Sequence, residues 1–106
     1  MTTTRQDTLP TPDSLFANLS DDLRSKREDR AREQGLEPCT HCGRGVAVGA
    51  GFVTVVIDGG ASVIHPEAVT PVDMADPGFM GAWVLGSTCA KAVPAAARAP
   101  WTGWDA

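Results

Sequence analysis

Cys39-Thr40-His41-Cys42-Gly43, entered through Glu37-Pro38, is the stretch on which the reading of this chain turns. Two thiols separated by two residues can face one metal ion when the backbone turns tightly between them. A glycine directly after the second cysteine lets neighbouring amides approach the thiolates. The residue before a proline is biased away from the helical region, so Glu37-Pro38 brings the chain into the turn extended. A tetrahedral site needs two further ligands. Beyond the pair the chain offers only Cys89, His65 and His41 as soft or borderline donors.

Cys89 follows Gly86-Ser87-Thr88, which reads as a helix start with Ser87 as N-cap. There the positive end of the helix dipole helps to hold a thiolate. The alternative is a small buried hydrophobe, the usual state of an isolated cysteine. His65 is the candidate fourth ligand; its alternative is a surface histidine at a strand end. His41 lies between the two cysteines, where coordination needs an awkward chelate, so it is expected to be exposed or bonded locally. Zinc is the first reading for such a set. A single iron–sulfur cluster with one histidine ligand is the second, and two clusters are excluded by the count of three cysteines.

Working outward, Phe52-Val53-Thr54-Val55-Val56-Ile57 is rich in β-branched residues and predicts a strand. Asp58-Gly59-Gly60 is a hairpin turn signal, and residues 61–65 form the returning strand. Pro66, Pro71 and Pro77 make the next stretch a loop, and Phe79 to Leu85 offers a third strand. The helix at Cys89 is short, because Pro94 ends or kinks it. Upstream, Asp13 is a good helix N-cap, and Leu15, Phe16, Leu19 and Leu23 fall at helical spacing. A helix over residues 13–35 is expected, broken near Ser20, with its first half docked and its charged second half solvated. Gly35 suits its C-terminal cap.

The order of these elements carries a resemblance. Cys39-x2-Cys42, 22 intervening residues and then His65-Pro66-Glu67-Ala68 resembles the first finger of LIM-type zinc modules. In those, a histidine at the end of the hairpin is the third ligand and a cysteine three residues later the fourth. Here that last position is Ala68, so Cys89 would have to replace it. Leu85-Gly86-Ser87-Thr88-Cys89-Ala90-Lys91 resembles the closing Gly-x-x-Cys-Ala element of small treble-clef-like zinc proteins. The likeness spans Pro38 to Val93. It implies an α+β fold: an N-terminal helix, then a treble-clef-like body of zinc knuckle, β-hairpin or three-stranded sheet, and short C-terminal helix. It implies a structural Zn2+ held by Cys39, Cys42, His65 and Cys89. Arginine outnumbers lysine seven to two, with abundant Ala, Gly and Val, as in proteins of actinobacteria and their phages. The organisation expected is a disordered arm (1–12), the helix (13–35), the zinc-binding domain (36–94) and a tryptophan-containing tail (95–106).

Composition limits the function. The 106 residues suffice for one domain, and only three Trp and three Phe, with no Tyr, make a thin core that calls for a metal or other staple. Arg24, Lys26, Arg27, Arg30 and Arg32 cluster within nine positions, but the net charge is −4, and from Gly35 onward three basic residues face six carboxylates. Such a body lacks the electrostatic footprint for phosphate, so nucleic-acid binding is not favoured. The polar start MTTTRQDTLPTPD is no secretion signal, and no run is long enough to span a membrane. A cytoplasmic protein is expected, and an odd number of cysteines argues against a disulfide framework.

Cys-Thr-His-Cys also looks like the active-site tetrapeptide of thioredoxin-fold oxidases. That chemistry needs the first cysteine at a helix start, and Gly43-Arg44-Gly45 prevents a helix from growing. Deaminases pair Cys-x-x-Cys with an upstream His/Cys-x-Glu, the reverse of the order here. HNH nucleases carry a His-Asn-His pattern that the chain lacks. Two segments suggest docking to another protein. Leu15 and Phe16 close the arm and either start a helix that covers the core or dock a partner; Ser14-Leu15-Phe16 resembles the end of sliding-clamp-binding peptides without their leading Gln. Trp101 and Trp104 flank Gly103 in the tail and either fold back or anchor a partner. The expectation is a non-enzymatic adaptor or inhibitor that binds another protein. The alternatives are a nucleic-acid-associated regulator using the Arg-rich helix and a small metalloenzyme.

Overall fold

The computed structural model describes residues 8–16 and 21–104. In chain order the elements are β1 (Thr8–Pro10), a 3-10 turn (Asp13–Phe16), α1 (Asp21–Glu33), β2 (Glu37–Pro38), β3 (Gly45–Val46), β4 (Phe52–Ile57), β5 (Ser62–Ile64), α2 (Pro71–Ala75), β6 (Gly81–Leu85), α3 (Ser87–Ala90) and β7 (Ala99–Pro100). They make a small α+β body of short helices and two antiparallel sheets.

The β-branched run over residues 52–57 becomes β4, the strand on which the larger sheet is built. Its order is β1-β5-β4-β6, and β7 also pairs with β4. The β4–β5 hairpin closes through Asp58, Gly59 and Gly60, at φ of 56°, 66° and 104°. These left-handed angles are the ones Gly, and less readily Asp, tolerates. β4 does not alternate between buried and exposed: Thr54, Val55, Val56 and Ile57 are all buried. Both faces of the sheet are therefore covered. Val56, Val63 and Val84 pack with Leu15, Val93, Ala97 and Trp101 on one side. Val55, Ile57 and Ile64 pack against Ala68, Val69 and Phe79 on the other. Full burial of Ile64 and Leu85 contributes about 1.5–3 kcal/mol each.

The proline-rich stretch is not a plain loop. Pro66–Ala68 forms a 3-10 turn and Pro71 opens α2. At the first helical position proline gives up an N–H that would be unpaired anyway. A capping box holds this end: the Asp73 N–H donates to Thr70 Oγ1 (3.3 Å) and the Thr70 N–H to Asp73 Oδ2 (2.8 Å). The arm is also partly ordered. Thr8–Pro10 adds β1 to the sheet, with Leu9 opposite Val63. Pro10 is tolerated because β1 is an edge strand; the arm's residues 1–7 lie outside the described residues.

The segment expected to be a helix broken near Ser20 is described as two pieces on either side of residues 17–20, the first of them a 3-10 turn rather than α-helix. Asp13–Phe16 is a 3-10 turn that buries Leu15, and α1 begins at Asp21. Leu19 and Ser20 lie outside the described residues, and Leu23 is 41% exposed. The docked residue of α1 is instead Ala31, 1% exposed, in the charged half expected to be solvated. A small side chain there lets the helix approach β3, while longer charged neighbours point outward. Two details at the other end also differ. Gly86, not Ser87, occupies the N-cap of α3, and the helix stops at Ala90, well before Pro94. The tail returns to the body: β7 pairs with β4 and Trp101 is buried.

Candidate metal centre

The knuckle is a short hairpin. Glu37 pairs with Val46 and Pro38 with Gly45. Between them the Cys39 N–H donates to the Arg44 carbonyl and the Gly43 N–H to the Cys39 carbonyl, each at 2.8 Å. Gly43 sits at φ 82°. A Cβ there would lie 2.6 Å from the Arg24 carbonyl oxygen, so α1 rests directly on the turn and only glycine fits. Arg27 adds a long hydrogen bond to the Cys42 carbonyl, 3.5 Å.

Cys89 arrives from the other end of the chain. The Thr40 N–H donates to the Val84 carbonyl at 2.8 Å, tying the knuckle to β6. β6 runs through Gly86 into α3, which carries Cys89. The far end of α3 is held by Arg98, whose guanidinium donates to the Ala90 carbonyl and, at 2.9 Å, to the Val93 carbonyl. The same guanidinium lies 5.0 Å from the centre of the Phe52 ring on β4.

The three sulfurs consequently meet. Cys39, Cys42 and Cys89 are free thiols whose Sγ atoms all lie within 4.8 Å of one another. Sulfurs sharing a tetrahedral zinc stand about 3.8 Å apart, given Zn–S bonds of ~2.3 Å, so this group can hold a metal ion. Cys39 is fully buried, and Cys42 and Cys89 are half-buried. Their protonation is unequal. Burial raises Cys39, but the amides of Cys42, Gly86 and His41 and the Cys42 thiol hydrogen-bond to it and bring it below the ordinary thiol value. Cys89 is pushed up to about 12, first by burial and then by negative charge on Cys39 and Cys42 and hydrogen bonds with their thiols. Three thiolates crowded together repel one another, and a bound cation reverses that penalty.

The two histidines are placed against expectation. His65 is outside the cysteine group. Its Nδ1 accepts the Glu67 N–H at 3.1 Å and caps the turn at Pro66. The reason is topological: β4 separates β5, which ends beside His65, from β6, to which the knuckle and α3 are attached. His41, expected to be exposed or locally bonded, is half-buried, with Nδ1 3.3 Å from Cys89 Sγ. Its Nε2 is buried with no hydrogen-bond partner. Beside it a cleft of ≈ 340 Å³ is lined by Cys42, Arg44, Ser87, Thr88 and Cys89, among others.

Of the residues expected to meet a partner, Leu15 and Trp101 are core residues, 3% and 5% exposed. Leu15 is drawn inward by the 3-10 turn, and Trp101 by the pairing of β7. The Phe16 side chain lies outside the described residues. Trp104 is 53% exposed and stands edge-on to Trp101, with ring centres 5.7 Å apart. The basic cluster is offset within its own helix. α1 carries five acidic and five basic side chains. Arg24 pairs with Asp21 and Glu28, and Arg32 with Glu28 and Asp29. Arg98 and Thr40 were the positioning residues that spacing did not point to. Arg98 acts on backbone carbonyls and Thr40 through its own amide, and neither leaves a side-chain signature. Among the described residues no helix is long and apolar enough to cross a membrane. No protein-family model, curated protein or solved structure matches the chain.

Proposed function

We propose that this chain is a non-enzymatic protein of treble-clef type, held in shape by structural zinc, that binds another protein as an adaptor or inhibitor. The observation that carries the zinc reading is the meeting of three sulfurs from two ends of the chain. Zinc is preferred because an all-thiolate or thiolate–imidazole set is the donor chemistry it favours. The succession of knuckle, antiparallel sheet and short ligand-bearing helix supports the likeness to treble clefs, although His65 takes no part. Structural zinc stabilises small peptides by about 10–16 kcal/mol at neutral pH, as much as the whole stability of a small domain.

The binding reading rests on Trp104. Its half-exposed ring stands against the buried Trp101, and the exposed Val48 lies beside the adjoining Gly103. An aromatic side chain braced from below is a suitable anchor for a partner. Nucleic acid is disfavoured by the internal pairing of charge on α1. The cleft beside Cys89 favours a metalloenzyme as the second reading, since catalytic zinc keeps one position open.

Metal analysis and cross-linking of the full chain in its native host test the proposal. One zinc per chain is expected, together with a defined cross-linked partner that is lost in Trp104→Ala while zinc content and circular dichroism stay unchanged. A metal-free chain that folds normally refutes the zinc reading. A partner profile unaltered by Trp104→Ala refutes the binding reading. A three-ligand cobalt spectrum with an exchangeable water moves the conclusion to the metalloenzyme.

A further inference from the structure

The cysteine group lacks a fourth donor, and no carboxylate or histidine among the described residues shares the mutual distance that joins the three sulfurs. The buried side of the group is closed by Cys39, which is 0% exposed. The accessible side is that of Cys42 and Cys89, which line the cleft together with His41. A fourth ligand must therefore approach from the side where His41 already stands.

Three features of residue 41 bear on this. Its backbone lies between the two knuckle cysteines, while its ring reaches the Cys89 sulfur, so one residue links the knuckle to the third thiol. The 3.3 Å from Nδ1 to Cys89 Sγ is close to the ~3.5 Å that separates nitrogen and sulfur ligands on one tetrahedral zinc, given bonds of ~2.0–2.1 and ~2.3 Å. And Nε2 is buried with no partner, so the one hydrogen bond of the ring is that of Nδ1 to the Cys89 sulfur. The other histidine is engaged at the end of β5 by the Glu67 amide.

We propose that His41, through Nδ1, is the fourth ligand of a closed Cys3His site. This rests on the metal reading above and deepens it. His41 is not within the shared distance of all three sulfurs, so ligation draws the ring inward from Cys89 by rotation about its side-chain bonds. The imidazole binds as the neutral tautomer, with its proton on Nε2. With three thiolates and one neutral imidazole around a divalent ion, no position remains for substrate or water, and the site is structural. The chelate that spacing makes awkward is helped by the tight knuckle turn, closed by the Gly43 N–H to the Cys39 carbonyl at 2.8 Å.

The test uses the full chain loaded with zinc or cobalt. Long-range 1H–15N spectra of the zinc-loaded wild type should show a metal-bound Nδ1 on His41 and no metal-bound nitrogen on His65. Cobalt titrations should show four-coordinate absorption in wild type and in His65→Ala. His41→Ala should bind cobalt at least tenfold more weakly, with altered absorption, and His41→Cys should restore tight binding with added thiolate charge transfer. Should His41→Ala fail to fold, the wild-type spectra decide. Two free histidines in a zinc-loaded chain overturn the assignment of His41 while leaving the three-cysteine site intact. A wild type that takes up no metal overturns both together.

Discussion

The Thr40 amide donates to the Val84 carbonyl at 2.8 Å, and this bond sets the knuckle against the strand that delivers Cys89. The loop bearing Cys39 and Cys42 and the helix bearing Cys89 are thereby referred to one strand, β6. Backbone pairing thus brings the three sulfurs within metal-binding distance, and an ion held there would cross-link segments about fifty residues apart along the chain.

Removal of one thiol should act on the whole body. Cys89→Ser is expected to lose the zinc and to lower stability by several kcal/mol, out of the ~10–16 kcal/mol associated with structural zinc. Chelator treatment of the wild type should lower its melting temperature in the same direction. Metal analysis alongside thermal melts followed by circular dichroism checks both, and equal melting temperatures with and without chelator would contradict the expectation.

Arg98 secures the other end of α3. Its two carbonyl contacts and its place over Phe52 lead to an expected loss of about 1.5–3 kcal/mol in Arg98→Ala, since hydrogen bonds to a charged group are at stake. Arg98→Lys should recover only part of this: both carbonyls accept from one terminal nitrogen, which an ammonium can supply, but the stacking over Phe52 is lost. Urea denaturation of the zinc-loaded proteins measures this.

Gly43→Ala should be costly although it adds one methyl group. Its φ of 82° is unfavourable for any residue with a Cβ, and that Cβ would meet the Arg24 carbonyl at 2.6 Å. About 1–2 kcal/mol is expected from the backbone alone, with more from displacement of α1. Gly49→Ala is the matched comparison: Gly49 also has positive φ (85°), but its Cβ position is open. The difference in urea midpoint between the two variants isolates the helix contact.

Metal uptake should release protons. Cys89 is pushed up to about 12 in the metal-free fold by burial and by its neighbours' charge, so at neutral pH it carries a proton that zinc must displace. Affinity should therefore fall as pH falls, by about tenfold per unit for each proton released. Calorimetry in buffers of different ionisation enthalpy counts these protons. The same shift governs the metal-free fold. Because the folded value of Cys89 exceeds the ordinary 9.0, its contribution to stability is complete below pH 9 and is lost between 9 and 12. Cys39 is shifted the other way, so its contribution is already complete above pH 9 and does not offset the loss.

Much of the local structure was legible along the chain. The β-branched run of β4, the Asp58-Gly59-Gly60 turn and the Cys39/Cys42 knuckle each depend on neighbouring residues, and each forms where local chemistry places it. The prolines misled in the stretch after His65, because proline breaks a helix from within but starts one from its first position, as Pro71 does. Leu23 misled too: its helical spacing was right, but the face it marks is exposed, and the buried contact is made by Ala31.

Sequence alone determined the donors. With three cysteines and two histidines, any soft-metal site had to be drawn from these few side chains, and the knuckle had to contribute two of them. Which histidine stands near was decided by strand order, since β4 intervenes between His65 and the knuckle while β6 carries Cys89 up to His41. Spacing measures distance along the chain, whereas ligation depends on which strands are neighbours, and that is settled only when the sheet closes.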